Sequence, residues 1–318
     1  MAAADLCVVE GAMSLGLKNK RGTALVLVLW LVAALSLLVL VSASSIRQQT
    51  QRVSVDLERL RMELALDTAL QLGVQKLMAD RSAAGLYRRQ RLQLDENTIQ
   101  IEIIPASGLV DVNVASDALL QALLERAGGM TSGEAVIMTA RIRDYIDPDS
   151  EPGGVGGAEA PQYRAAGKPT GPKNGGLDDL SELRMVLGMT PELYEIISPY
   201  LAINGQSRIQ IDAAPPSLID VLSGQQGLGE RIHSSPPESR ESELMAGPAA
   251  EFFSVGQSGA GAVRMRVSIQ ADGGRWWQRE AWIDLSARPD SLTPWTTLSL
   301  EPTRRMNSPE NRNSTHGR

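Results

Sequence analysis

Hydrophobic positions along the chain follow three patterns in succession. Residues Gly22 to Ile46 form an uncharged run of 25 residues, GTALVLVLWLVAALSLLVLVSASSI. At about 1.5 Å per helical residue it is long enough to cross the roughly 30 Å hydrocarbon layer of a bilayer. From Ile46 to Met78 there is no proline, and Val53, Leu57, Leu60 and Leu64, then Leu70, Val74 and Leu77, recur at helical spacing. The pattern predicts one helix from Thr23 to Met78, its outer half carrying an apolar stripe that needs a partner surface. Heptads slip after Leu64, against a coiled-coil stalk. Asp80 to Gly85 breaks this helix. Alternation then takes over in Arg91-Leu-Gln-Leu-Asp95 and Thr98-Ile-Gln-Ile-Glu-Ile103, two strands about a turn at Glu96-Asn97. A second β region follows late: Phe252 to Val255, Val263 to Ile269, a turn at Asp272-Gly273-Gly274, and Trp277 to Leu285.

Strands at both ends of a helical middle indicate an α+β fold: a long N-terminal helix on a small antiparallel sheet, interrupted by an inserted all-α domain. Its expected parts are residues 1–22 ahead of the apolar helix, 23–45 as the membrane span, 46–107 as the first half of the α/β domain, and 108–222 as the insert. A linker at 223–248, a β region at 249–290 and a polar tail at 291–318 complete the chain.

The insert opens and closes on related phrases, Val110-Asp-Val-Asn-Val-Ala-Ser116 and Ile209-Gln-Ile-Asp-Ala-Ala-Pro215, each leading into a leucine-rich helix. Leu119 to Glu125, Gly128-Gly129 and Ala135 to Arg143 read as helix, hairpin, helix. A second helical pair, Leu180 to Leu187 and Pro191 to Ile197, turns at Gly188-Met189-Thr190, with Thr190 or Pro191 starting the latter helix. Such hairpins bind DNA phosphates when lysines support the turn. Here Arg126, Arg141 and Arg143 face Asp111, Asp117, Glu125, Glu134 and Asp144, so the unit is acidic and nucleic acid is a poor partner.

Between the helical pairs runs Asp144-Tyr-Ile-Asp147-Pro-Asp149-Ser-Glu151, a glycine-rich bend, Ala158-Glu159, a proline-rich crossing to Asn174, and Asp178-Asp179. Roughly thirty residues without regular structure are unusual inside a compact domain. Near-alternate carboxylates among glycine and proline suit calcium, which takes six to eight oxygen ligands. No EF-hand register is present. A solvated acidic loop fits the same composition.

Composition narrows the chemistry. The formal charge is −6 and aromatics make up 4% of residues, a balance that disfavours non-specific binding to nucleic acid or anionic lipid. Cys7 is the only cysteine, so no intramolecular disulfide forms. The histidines are His233, in a proline-serine stretch, and His316, in the tail. Without a P-loop, zinc spacing or nucleophile elbow, and with Ser258 far from any ordered histidine, the chain reads as a non-enzyme. Trp276, Trp277 and Trp282 alternate between the two faces of a strand, as core rather than a ligand groove.

Lys18, Lys20 and Arg21 precede the apolar run and Arg47 is the first cation after it, which keeps the N-terminus cytoplasmic and exports the rest. A cleaved signal peptide is the rival, but its core is shorter. Lys-Asn-Lys-Arg-Gly22 ahead of a hydroxylated residue and an apolar helix resembles a prepilin-type leader, which implies cleavage between Gly22 and Thr23 by a prepilin peptidase. Leu27 stands where most such proteins have a glutamate.

The resemblance becomes specific in the middle of the chain. Val112-Asn-Val-Ala115, Arg141-Ile-Arg-Asp144, Asp147-Pro-Asp149, Gly157-Ala-Glu159, Tyr163, Asn174-Gly, Leu180-Ser-Glu182-Leu, Val186-Leu-Gly-Met189, Tyr194 and Pro199-Tyr200-Leu201, in this order, are similar to the minor pseudopilin K family of type II secretion. In that family the missing glutamate is usual. The resemblance implies a single-pass inner-membrane protein whose periplasmic part caps a pseudopilus tip. Its partners would be minor pseudopilins I and J, then H and the major pseudopilin. It also implies bound calcium, with Asp147, Asp149, Glu159, Asp178 and Asp179 as candidate ligands, while the stripe Val53, Leu57, Leu60 and Leu64 is the candidate partner face. Tyr145, where tryptophan is common, and the polar segment Ser223 to Pro248 depart from the family pattern. The alternative function is a membrane-anchored periplasmic helix-hairpin-helix protein for DNA binding or uptake.

Overall fold

The computed structural model describes residues 21–81, 84–94, 97–236, 239–240, 242–243, 247, 249–256, 261–271, 274–286 and 293–306, with side chains of the first helix described at 24–39, 53 and from 55 onward. Two units divide between Arg61 and Met62. Helix α1 (Arg21–Ala79) matches the predicted continuous helix. In the first unit the described apolar side chains from Leu25 to Val39 are solvent-facing, as are Val53, Leu57 and Leu60. Among the described residues no helix is long and apolar enough to cross a membrane. The remainder of the predicted span, the side chains at 40–46, lies outside them, as do Lys18, Lys20 and the Gly22 and Thr23 side-chain positions.

The second unit rests on an antiparallel sheet. Strands β1 (Arg88–Leu94) and β2 (Asn97–Pro105) form the predicted hairpin. Leu94 pairs with Asn97, so Asn97, expected in the turn, belongs to the second strand. Strands β7 (Ala262–Gln270) and β8 (Trp276–Asp284) continue the sheet, and β9 (Thr296–Leu300) and β10 (Arg304–Met306) share the far edge of β8. The expected polar tail therefore supplies two strands. Its composition hides them because the pairing is edgewise, with Arg304 opposite Gln278 and the Arg305 guanidinium 5.4 Å from the Trp277 ring centre.

Alternation sorts this sheet into two faces. Ile99, Ile101 and Ile103 stand opposite Ile269, Val267 and Met265, and all six are buried together with Leu66, Ala69, Leu70, Val74 and Leu77 of α1. Gly73 lets the helix cross the strand, since a Cβ there would lie 2.7 Å from the Met265 sulfur. Of the predicted stripe, the half from Leu70 to Leu77 is core, whereas Leu64 remains exposed. Trp277 is buried on the helix side and Trp282 packs against the other core, as alternation requires.

The opposite face carries charge. Arg266 bonds Glu102 at 2.8 Å and Glu280 at 3.0 Å, and Tyr87 donates to Glu102 at 2.8 Å. Arg264 donates to the Pro199 carbonyl. Despite its burial, Glu102 is held below the ordinary carboxylate range by Arg266, then by the Tyr87 hydroxyl and Arg89.

Between β2 and β7 lies the helical segment, with a separate core built around Leu119, Leu123, Tyr163, Leu183, Leu201 and Leu218. Its elements are β3 (Val110–Asp111), α2 (Asp117–Arg126), α3 (Ser132–Ile146), α4 (Ala160–Ala165), α5 (Pro191–Ile197), β4 (Leu201–Ala202), β5 (Ile209–Gln210), α6 (Pro216–Ser223), α7 (Leu228–Ser234) and β6 (Phe253–Ser254). Thr131 starts α3 with a capping box to Glu134, and Thr190 caps α5 through the Leu193 amide. The two related phrases meet: a Cβ on Gly108 would lie 1.9 Å from the Ala213 carbonyl oxygen, so only glycine allows the approach. The Asp111 carboxylate accepts from the amides of Asn113, Asn204 and Gly205 at 2.8, 2.6 and 2.6 Å, fastening β3 to the chain leaving β4.

Four expectations change here. Leu180–Met185 is a 3-10 turn rather than an α-helix, started by Asp179 and stopped before Gly188 (φ +92°). The long acidic loop contains α4. Phe253–Ser254 leaves the main sheet and pairs in parallel with β5. Within the segment expected to be a linker, α7 packs on α6 through Leu228 and Ile232, its start tied down by the Asp220 carboxylate on the Gly227 and Gly229 amides. His233 is thus the last turn of a packed helix, half-buried 5.1 Å from the Tyr87 ring and bonded to the Ala214 carbonyl.

Candidate metal centre

The acidic loop starts where α3 ends. Asp147 caps that helix in extended conformation, its amide still bonded to the Arg143 carbonyl, and Pro148 forbids another turn. One turn back, the fully buried Asp144 accepts from the Gly153 amide at 2.9 Å and the Ala158 amide at 2.5 Å. The glycine-rich bend exists to wrap this carboxylate. A Cβ on Gly157 would lie 2.4 Å from an Asp144 oxygen, and Gly154 and Gly156 take φ of +57° and +80°. The bend delivers Glu159 as the residue before α4.

Asp147, Asp149 and Glu159 thereby offer carboxylate oxygens within 4.8 Å of one another. Glu159 is 1% exposed and makes no full hydrogen bond, its carboxylate turned toward the backbone amides that open α4; Asp147 Oδ1 is buried without a donor. A buried acceptor with no partner costs about 1–3 kcal/mol, more when charged. Burial pushes the Glu159 carboxyl above its ordinary range, and Asp144, Asp147 and Asp149 push it further; for Asp147 burial acts first, then Asp149 and Asp144. Oxygen-only donors, negative charge and a loop closing on itself are what a hard divalent ion such as calcium requires.

Asp178 and Asp179 are not brought into this group. Asp178 pairs with Lys173 at 2.7 Å, and Asp179 starts the 3-10 turn by accepting from the Ser181 amide at 2.7 Å. Glu182, which accepts from the amides of Asp178 and Asp179 and pairs with Lys173 at 2.7 Å, completes a second acidic group. Two polar residues whose roles composition does not mark are Asp144, the organiser of the bend, and Asn174, whose positive φ of 53° and amide bond to the Tyr145 carbonyl hold the returning chain against α3. The Asn-Gly step at 174 was the one available signal.

The segment that carries this geometry is also the one a known family matches. Residues 95–205 match the family model described as type II secretion system (T2SS), protein K. Curated relatives agree: the putative type II secretion system protein K of Escherichia coli (strain K12) is 27% identical over 216 residues, 61% of this chain and 65% of that protein. The type II secretion system protein K of Klebsiella pneumoniae is 34% identical over 90 residues, 28% of this chain and 27% of the relative. Over these stretches the chain is similar to type II secretion system protein K. The protein K of Pectobacterium carotovorum subsp. carotovorum is 37% identical over 79 residues, covering 25% of this chain and 24% of its own length. The matched stretches thus span under two thirds of each of these relatives. A solved structure, the GspK-GspI-GspJ complex from the enterotoxigenic Escherichia coli type 2 secretion system, aligns at TM-score 0.47 and 17% identity over 76% of this chain and 98% of the matched one, too loosely to argue from.

Proposed function

We propose that this chain is a minor pseudopilin of a type II secretion system, a structural part of the export machine and not an enzyme. The family match over 95–205 carries the reading, because it falls on the acidic loop and the helical units around it. The run Gly22–Ile46 is the inner-membrane anchor, cut after Gly22 by a prepilin peptidase to leave Thr23 at the cytoplasmic face, with the helical segment inserted in a periplasmic α/β domain. Minor pseudopilins I and J are the direct partners, with H and the major pseudopilin below. The solvent-facing Val53, Leu57, Leu60 and Leu64 are the surface for them. Replacing Leu60 and Leu64 with glutamate abolishes co-purification of I and J from the native membrane while the protein still accumulates; undiminished recovery would overturn this face.

Within that role the cluster Asp147, Asp149 and Glu159 is a calcium site, supported by the buried Asp147 oxygen that has no donor. Geometry gives no support to DNA binding by the first hairpin, because its arginines are spent internally. Arg126 donates to the Leu222 carbonyl, Arg141 to those of Gly156 and Leu187, and Arg143 to Asp117 and the Val112 carbonyl.

A further inference from the structure

Among the described residues the main sheet ends in β1 on one side and in β9 with β10 on the other, and the two edges are built differently. Strand β1 carries Arg88, Arg89 and Arg91. Strand β9 reads Thr-Thr-Leu-Ser-Leu without a charge, and Leu298 is 52% and Leu300 48% exposed. It pairs with β8 alone, so the backbone row on its far side has no strand beside it among the described residues. Such an edge invites another strand, and proteins ordinarily guard it with charge, proline or a bulge. Here Pro302, Arg304 and Arg305 guard only the stretch beyond β9. Beside the unguarded stretch lies a cavity of about 430 Å³ between the sheet and the helical segment, walled by Leu298 and Ser299 together with Trp282, Tyr194 and Ile203. Ser299 stands opposite Trp282 in the pairing with β8, so a strand laid along β9 turns every second side chain to the cavity side. Three arginines of the wall each meet a glutamate: Arg184 with Glu195 at 3.1 Å, Arg264 with Glu280 at 3.9 Å and Arg304 with Glu301 at 3.2 Å. Asp178 and Asp179 are in excess, and the Lys173 that Asp178 meets is shared with Glu182, so the wall is net negative.

We propose that the free edge of β9 docks an extended segment of another protein, which joins the sheet as an added strand. The segment sets a large apolar or aromatic side chain in the cavity and carries a lysine or arginine toward Asp178 and Asp179. Main-chain hydrogen bonds supply the affinity, while the cavity and its surplus of acids select the sequence. A second copy of this chain fits less well, since β9 itself carries neither a cation nor an aromatic residue. The inference does not rest on the assignment of partners to the α1 stripe.

The test uses the full chain in detergent and a short synthetic peptide of alternating valine and threonine, with a tryptophan and a lysine two residues apart so that both fall on one face. At saturating peptide, hydrogen exchange of the amides from Thr296 to Leu300 slows at least about tenfold while that of the β1 amides is unchanged. Methylating the peptide's backbone nitrogens abolishes the protection, and exchanging its lysine for glutamate weakens binding at least about fivefold. Leu298→Lys with Leu300→Lys, which guards β9 as β1 is guarded, melts as wild type does and is no longer protected. Equal protection of β1 and β9, a methylated or glutamate peptide that binds as well as the parent, or no binding at about 1 mM peptide overturns the proposal. Dimerisation of the protein that the double variant loses and the peptide leaves untouched would give the edge to a second copy, and overturns it too. Should the double variant fail to fold, the methylated peptide decides.

Discussion

Two acidic groups share one loop and end in opposite electrostatic states. Asp147, Asp149 and Glu159 have no cation among their described partners, and burial with mutual repulsion holds Asp147 and Glu159 above the ordinary carboxylate range. Asp179 and Glu182 sit below it, the first because the Ser181 hydroxyl and amide bond its carboxylate, the second chiefly because Lys173 does. Residue types are the same in both. The difference lies in whether a lysine and free backbone amides at the start of a turn reach the carboxylates. The half-buried pair Glu102 and Glu280 is a third case, settled by a cation as the second is, here Arg266.

The most severe way to probe this contrast is to turn a settled group into an unsettled one. Arg266→Met removes the guanidinium that joins the half-buried Glu102 and Glu280, leaving them to Tyr87, Arg89 and Arg264, at a cost of up to about 3 kcal/mol, read as the loss of unfolding free energy in urea at neutral pH. A loss of only about 0.2–1 kcal/mol would mean that water already screens the pair. A smaller effect in the opposite direction comes from settling the unsettled group. Calcium at a hundred times its dissociation constant stabilises the protein by about 2.7 kcal/mol, seen as a raised melting temperature that magnesium or sodium at equal ionic strength does not reproduce. Asp147→Ala with Asp149→Ala removes the difference. Equal melting in all three salts would make the loop a solvated acidic one.

The smallest effect is at Lys173, on the surface. Glu182 is lowered in the folded state, so its pairing contributes stability above the ordinary glutamate value of about 4.3 and loses it as pH falls through the folded value below that. Lys173→Met therefore lowers the melting temperature at neutral pH, and the gap from wild type closes in acid. A gap that persists unchanged at low pH would show that the lysine acts by packing.

Much of the fold was legible because periodicity is local. Ile99, Ile101 and Ile103 alternate, Leu70, Val74 and Leu77 follow a helix, and each lands on the face its spacing requires. What stayed hidden depends on distant partners. Thr296–Leu300 and Arg304–Met306 become strands because β8 has an open edge, and Leu228–Ser234 becomes a helix because Asp220 caps it and α6 covers it. At the site, the run of acids was plain in the sequence, as was its suitability for a hard cation. Which acids converge was not: Asp178 and Asp179 look as suitable as Asp147 and Asp149, and only the folded positions of Lys173 and Ser181 separate them.

The pairing of β2 with β7, Pro105 opposite Val263, has a kinetic consequence. The hairpin of β1 and β2 is complete after residue 105, yet its neighbour in the sheet begins at residue 262. Closing so long a loop from a disordered chain is slow, and pairings distant in sequence delay folding. The helical segment shortens that search stepwise: Gly108 closes on Ala213, then Ile209 on Phe253, and the ends that remain free are already neighbours. Contacts near in sequence within the helical segment are therefore expected to form ahead of the β2–β7 pairing, and β9 and β10 have β8 alone to join in this sheet.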